Sequence, residues 1–190
     1  MELFTAICLG LGLSACCGFR VFVPVLAANI ASLAGLYQFG AGFEWLGTWL
    51  SFGILLTATL AEITAYYIPV VDNFLDTIAT PLAIGAGTLL TTSFLSEDMQ
   101  PFLKWGLGLM VGGGTAGIVQ AGTGLLRLGS TSTTGGLANP AVSTAENGLS
   151  AGFSILAILI PPLVAALALF TVFYISRKLI RYFRRKNKDV

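Results

Sequence analysis

Long apolar runs dominate the chain, and their lengths predict membrane-spanning helices. A helix needs about 20 mostly apolar residues to cross a bilayer. Four stretches meet that length, namely Thr48–Tyr67, Thr77–Leu95, Phe102–Leu126 and Ser150–Ser176. Trp49 and Tyr66, near the two ends of the first stretch, match the aromatic belts found at membrane interfaces. The pattern therefore predicts an all-α fold, a polytopic bundle of transmembrane helices.

The first apolar stretch, Leu3–Tyr37, is too long for one helix and is interrupted at Gly18-Phe19-Arg20 and at Pro24. Two arrangements fit it. Either it is one broken helix with Arg20 at membrane depth, or it is a hairpin of two short segments with Arg20 at the turn. The bundle accordingly has five to six segments, and six segments would permit the 3+3 inverted arrangement of many transporters.

Composition and charge support a membrane protein and give it an orientation. The chain is 55% hydrophobic and 10% charged, whereas soluble domains carry about 25% charged residues. Seven of its ten Lys and Arg residues lie between Arg177 and Lys188. We therefore predict a transmembrane domain over 1–176 and a basic cytoplasmic tail over 177–190, in the cell (inner) membrane. On that sidedness, Ile68–Asp76 and Arg127–Leu149 would face the outside.

Several classes of chemistry find no support in the sequence. There is no histidine, and the three cysteines all fall in the first apolar segment, as expected of small buried hydrophobic residues. No nucleophile and base pair is recognisable, so we expect no enzymatic activity and no cofactor, and metal binding is left open. The basic tail is explained by membrane orientation, so no nucleic-acid partner is expected.

The most informative residues are ionisable side chains within or beside apolar sequence. They are Arg20, Glu62, Asp72, Asp76, Arg127 and Glu146. A charge at the bilayer centre costs about 2.5–3.5 kcal/mol on insertion scales, so such residues usually pair or face a cavity. Two arginines against four carboxylates give a formal charge of −2. A cavity lined by this set would favour a cation or a proton over an anion.

Each group has two interpretations at this stage. Asp72 and Asp76 are spaced i, i+4 and could bind a hard cation, or they could be ordinary acids at a helix start. Glu62 could accept a hydrogen bond from Tyr66, or it could lie solvated at the interface. The two arginines could pair with these carboxylates, or they could hold a lipid phosphate.

Helix breaks and flexibility are expected at Pro24 and at the triple glycine Gly112, Gly113 and Gly114. Small residues four apart also permit close helix packing, which is the competing interpretation of the glycines. The polar run Gly129–Gly136 is expected to form an external loop or a shielded re-entrant element.

Several short motifs resemble a bacterial integral-membrane family known as domain of unknown function 4126. They are Gly18–Pro24, Glu62 followed by Tyr67–Asp72 and Leu75-Asp76, Thr80-Pro81, Gly136–Pro140 and Ser143–Glu146. The resemblance spans nearly the whole chain. It implies a membrane protein and carries no activity.

These observations favour a small transporter or channel for a cation or a proton-coupled solute. Glu62, Asp72, Asp76 and Glu146 would bind the substrate or ion, and Arg20 and Arg127 would be their charge partners. The alternative is a lipid-binding or scaffolding membrane protein without transport activity. Expected partners are membrane lipids, a small cation or solute, and further copies of the chain in a homo-oligomer.

Overall fold

The computed structural model describes residues 3–96 and 98–186, and this part of the chain is all helix and connecting turns. The prediction of an all-α fold is thus confirmed. Within the described ranges the helices are α1 (Leu3–Cys17), α2 (Phe22–Leu33), α3 (Trp49–Ala65), α4 (Pro69–Phe94), α5 (Pro101–Thr134), α6 (Asn139–Leu159) and α7 (Pro161–Lys186).

Three helical segments are long and apolar enough to cross a membrane. They are Phe74–Phe94, Pro101–Thr134 and Asn139–Leu159, while α1, α2 and α3 are shorter apolar helices. These lengths and compositions are those of a membrane protein. The seven helices do not confirm a bundle of five to six spans or a 3+3 inverted arrangement.

The first stretch is a hairpin, as the second of the two arrangements predicts. Arg20 lies in the turn between α1 and α2. Beyond α2 the chain returns to the start of α1, since Gly40 lies beside Leu3 and its N–H donates to the Ser93 carbonyl over 2.8 Å. The prediction of a helix break at Pro24 is wrong. Pro24 lies in the first turn of α2, where the missing N–H of proline is tolerated.

The last predicted span, Ser150–Ser176, is wrong, because two helices meet within it. Helix α6 ends at Leu159 and α7 begins at Pro161. Proline disfavours helical backbone in the residue before it and clashes with a continuing helix, so Pro161-Pro162 is a physical stop signal. Hydropathy does not reveal this stop, because the residues on both sides of the prolines are apolar.

Helix α7 runs antiparallel to α6. A methyl group added to Gly12 would lie 3.2 Å from both Ala157, near the end of α6, and Val164, near the start of α7. Further along, Ile175 lies 2.8 Å from where a Cβ of Gly122 would be. Helix α7 therefore ends at the level of the second half of α5, at the end of the bundle where α6 begins.

Helices α4 and α5 approach through glycines. Gly108–Gly113 forms a π-helical segment within α5. A Cβ on Gly113 would meet the Thr88 hydroxyl at 2.6 Å, and one on Gly112 would overlap the Gly87 carbonyl oxygen. The triple glycine thus widens the helix without breaking it, and close packing explains two of its three members.

The polar run Gly129–Gly136 is also helical for most of its length, which corrects the prediction of a loop or re-entrant element. Helix α5 continues to Thr134, and the Ser and Thr hydroxyls in this turn donate to carbonyls three and four residues earlier. Gly135 and Gly136, with φ of 63° and 87°, end it in the left-handed conformation that favours glycine.

The close approach of α4 and α5 gives a matched pair of substitutions. Gly112→Ala places a methyl group against the Gly87 carbonyl and should destabilise the fold by about 1–3 kcal/mol. Gly114, two residues on, has no atom within 4 Å of its Cβ position, so Gly114→Ala should be neutral or stabilising by about 0.5–1 kcal/mol. Thermal unfolding in detergent compares the two; equal melting temperatures would contradict this packing.

Candidate functional site

The predicted ionisable residues converge at one end of the bundle. There the turn between α1 and α2, the end of α3, the start of α4, the second half of α5 and the start of α6 come together. We call Arg20, Asp72, Asp76, Arg127 and Glu146 the charge cluster. Residues separated by more than 120 positions in the sequence thereby become direct neighbours.

Glu146 joins the two arginines. Its Oε2 accepts a hydrogen bond from Arg20 Nη1 over 2.7 Å, and its Oε1 accepts one from Arg127 Nε over 3.1 Å. Arg127 Nη2 donates to Oε2 as well. The side chains of Arg20, Arg127 and Glu146 are 1%, 3% and 5% exposed. Because the Glu146 carboxylate bridges the two arginines, it compensates the positive charge of both buried guanidinium groups.

Asp72 and Asp76 approach the other side of Arg127. Asp72 Oδ1 accepts a hydrogen bond from Arg127 Nη1, and Asp72 Oδ2 accepts one from Asn139 Nδ2 over 3.2 Å. Asp76 Oδ1 lies 3.6 Å from Arg127 Nη1, within ion-pair distance but too far for a hydrogen bond. The i, i+4 spacing on α4 places both carboxylates beside the Arg127 guanidinium, which is the carboxylate pairing considered for the arginines.

The aromatic ring of Tyr66 contributes to the same environment. Its centroid lies 3.9 Å from Arg20 Cζ and 4.4 Å from Arg127 Cζ. Sequence spacing suggested that Tyr66 would serve Glu62, whereas the structure places its ring against both guanidinium groups. The negative face of the ring adds a cation–π contribution for each arginine.

The Glu62 carboxylate makes contacts that neither interpretation of the sequence expected. Its Oε1 and Oε2 accept hydrogen bonds from the backbone N–H groups of Val21 and Phe22, over 2.7 and 3.0 Å. These are free donors at the start of α2, which has no side-chain cap of its own. Glu62 is buried, so its carboxylate is not solvated at the interface, and both of its oxygens accept from backbone N–H groups. It joins α3 to α2 as a charged cap.

Several side chains that bind the two arginines were not among the candidates identified from the sequence. Asn147 Oδ1 accepts from Arg20 Nε over 2.6 Å, and Ser143 accepts from Arg127 Nη2 with its hydroxyl over 3.0 Å and from Arg20 Nη2 with its carbonyl over 3.2 Å. With Asn139, these residues recur along α6 at helical spacing. This small polar stripe in apolar sequence was the available signal.

Three buried oxygens near the cluster have no hydrogen-bond partner among the described residues: Asp76 Oδ1, Asn139 Oδ1 and Ser130 Oγ. Asn139 contacts Asp72 through its amide nitrogen, and Ser130 lies one turn beyond Arg127 on α5. Buried oxygens normally have partners, so this side of the cluster has acceptor capacity to spare. The Asp76 side chain is also 28% exposed, far more than Asp72.

Carboxylates outnumber arginines at this end of the structure, as they do among the residues identified from the sequence. Arg20 and Arg127 are matched by Glu146 and Asp72, which leaves Asp76 and Glu62 as additional carboxylates. Within residues 3–96 and 98–186, no group of three or more His, Cys, Asp and Glu side chains is placed to hold a metal ion.

A cavity of about 260 Å³ adjoins the cluster between α3 and α4. Its walls are mostly alanine and leucine side chains, and Glu62 and Tyr66 lie along it. The Glu62 side chain therefore borders a mostly apolar space between the two helices.

The charge cluster lies at the same end of the bundle as the basic end of α7, which contradicts the sidedness expected from the sequence. Lys178 lines a groove with Leu125 and Leu126, next to Arg127. The sequence placed Ile68–Asp76 and Arg127–Leu149 opposite the C-terminus because it counted Ser150–Ser176 as one span. The turn at Pro161 reverses the chain and brings the two together. Residues 187–190 of the predicted tail lie outside the described residues.

Comparison with known proteins gives one match. A family described as a domain of unknown function (DUF4126) matches residues 7–181, nearly the whole chain. The chain belongs to the DUF4126 family. No curated protein and no solved structure matches it. The DUF4126 region contains every member of the charge cluster together with Glu62, so the site lies within the family domain.

The bridging position of Glu146 predicts a large stability effect in this DUF4126 protein. Glu146→Gln leaves Arg20 without an anionic partner in a buried site and should cost about 3–5 kcal/mol. Glu44→Gln, at an exposed position, is the matched control and should have little effect.

The double variant Arg20→Gln/Glu146→Gln separates charge from packing. Because it removes both members of one buried pair, it should recover part of the stability lost in Glu146→Gln. Melting temperatures of the three detergent-solubilised variants decide the matter. A double variant less stable than Glu146→Gln would indicate that Arg20 and Glu146 stabilise the fold through their packing and not through their opposite charges.

Proposed function

We propose that this protein is a small integral membrane transporter or channel for a cation or a proton-coupled solute. The observation that carries the proposal is a buried cluster of two arginines and an excess of carboxylates at one end of an apolar bundle. Ionisable groups within membrane segments mark ion pathways and proton relays more often than they support structure.

Asp76 is the residue at which a cation or proton enters. It is the most exposed carboxylate of the cluster, and one of its oxygens is buried without a hydrogen bond. Neighbouring carboxylates disfavour one another's charge, so a cation or proton arriving here relieves repulsion with Asp72 and Glu146. Arg127 contacts all three carboxylates and is placed to respond to that change.

Helix α3 is the element suited to open a route. Only Ser51, Thr59 and Glu62 of this helix are buried, and it packs mainly on α2. The cavity of about 260 Å³ separates it from α4. A helix with little buried surface moves at low cost, and movement of α3 would expose Glu62 and widen the space that leads toward the cluster.

The positive-inside rule gives this function a direction. Lys178, Arg177 and Arg181 at the end of α7 are expected on the cytoplasmic side. Since the charge cluster lies at the same end, we infer that it opens toward the cytoplasm. A route from the other face would then pass between α1, α4 and α5, where glycines hold the backbones close, so a second copy of the chain is proposed to complete it.

The contacts of the arginines favour this proposal over a lipid-binding or scaffolding protein that uses them for lipid phosphate. Arg20 and Arg127 each have carboxylate partners and are 2% and 3% exposed. A phosphate could reach them only by displacing Glu146 or Asp72 from charge-assisted hydrogen bonds.

Transport is tested by flux into liposomes that contain the purified protein. A proton-sensitive dye reports pH, and separate Na⁺, K⁺ and Mg²⁺ gradients identify the ion. We expect the wild-type protein to pass at least one of these ions and Asp76→Asn to reduce that flux at least tenfold, because it removes the accessible carboxylate. Asp76 forms no hydrogen bond with Arg127, so the variant should fold.

Asp98→Asn is the matched control, since it makes the same chemical change at an exposed position. It should transport like the wild type. Wild-type liposomes with no more ion flux than empty ones would refute a pathway for these ions, and equal flux in wild type and Asp76→Asn would remove Asp76 from the pathway.

A further inference from the structure

We propose that the groove between α5 and α7 is a binding site for an anionic phospholipid. The groove has a volume of about 530 Å³, within the range of about 300–1,000 Å³ typical of sites for small organic ligands. It is separate from the charge cluster, and the proposal does not depend on transport.

The walls of the groove suit an acyl chain. Phe19, Val119, Leu126 and Ile175 are among the apolar side chains that line it. Ile175 presses against Gly122, where a Cβ would lie only 2.8 Å away, so the two helices meet along the floor. Leu126 is exposed on the rim. The groove is therefore open along its side to the surrounding lipid.

The charged end of the groove identifies the headgroup. Lys178 is the one charged residue among the described residues that line it. Tyr174 precedes Lys178 by four residues and Arg181 follows by three, so all three lie on one face of α7. Within the described part of the chain, no carboxylate lies within ion-pair distance of Lys178.

This arrangement is complementary to a phosphate at the membrane interface. Lys178 and Arg181 can reach the headgroup level while their alkyl stems lie on apolar surface, and tyrosine prefers the same depth. Basic residues beside a membrane helix attract anionic lipids at about 1 kcal/mol each. A zwitterionic lipid offers the same tails without the net negative charge, so the groove should select by headgroup.

This site differs from the one considered from the sequence, where a lipid phosphate on Arg20 and Arg127 was the alternative to their pairing with carboxylates. Those arginines are buried with carboxylates, whereas Lys178 faces an apolar groove with no such partner. The basic end of α7 is usually explained by orientation alone. The groove beneath it gives one of its lysines a specific ligand.

Native mass spectrometry of the full chain tests the proposal. The protein is titrated with phosphatidylglycerol and with phosphatidylcholine that carry identical tails. We expect tighter binding of phosphatidylglycerol, and Lys178→Gln should weaken that binding about fivefold, the equivalent of one basic residue at the surface. The adjacent variant Arg177→Gln is the control, because Arg177 lies over Phe173 and does not line the groove.

A second pair of variants tests the groove itself. Leu126→Trp should weaken the binding of both lipids, because the larger side chain fills the groove. Leu128→Trp should leave binding unchanged, although both leucines are exposed on α5. Equal affinity for the two lipids, or equal losses in Lys178→Gln and Arg177→Gln, would reduce the site to general surface charge and overturn the proposal. If the lipid-free protein forms dimers and Leu126→Trp disrupts them, the groove binds a second copy of the chain instead of a lipid.

Discussion

The need to compensate two buried guanidinium groups determines how one end of this bundle is built. Arg20 and Arg127 come from elements far apart in the sequence, and each would be very costly in an apolar interior by itself. Glu146 joins them, Asp72 and Asp76 flank Arg127, and Tyr66 lies against both cations. Five structural elements are thereby held in one arrangement, because displacing any of them would remove a contact that compensates one of the two guanidinium groups.

Packing elsewhere is consistent with that arrangement. Lipid gives no hydrophobic force between helices, so close backbone contact and buried hydrogen bonds must hold them together. The glycines of α5 lie against α4, and Ser14 donates to the Gly87 carbonyl over 2.8 Å. Small side chains let α1 occupy the centre of the bundle, and its C-terminal end delivers Arg20 to the cluster.

The two surplus carboxylates have different environments, and this difference matters for mechanism. Glu62 accepts hydrogen bonds from two backbone N–H groups and links α3 to α2, whereas Asp76 is partly exposed and has an oxygen without a hydrogen bond. Glu62 therefore lies at a contact between two helices, whereas Asp76 is the carboxylate nearer the surface. Under the proposed transport function, the arrival of a cation at Asp76 would be converted into movement through these contacts.

The sequence by itself determined the all-helical membrane character, because long apolar runs have few stable alternatives in lipid. It also identified all six ionisable residues, since charge in apolar sequence is costly wherever it lies. Only the tertiary structure decided their partners: Tyr66 faces the arginines and Glu62 caps α2, because a one-dimensional spacing describes neighbours on one helix and not across helices. Tertiary structure likewise showed α7 turning back at Pro161, which reversed the expected relation between the cluster and the basic end. The number of apolar residues is a local property, whereas the direction of the chain depends on backbone geometry at a single proline.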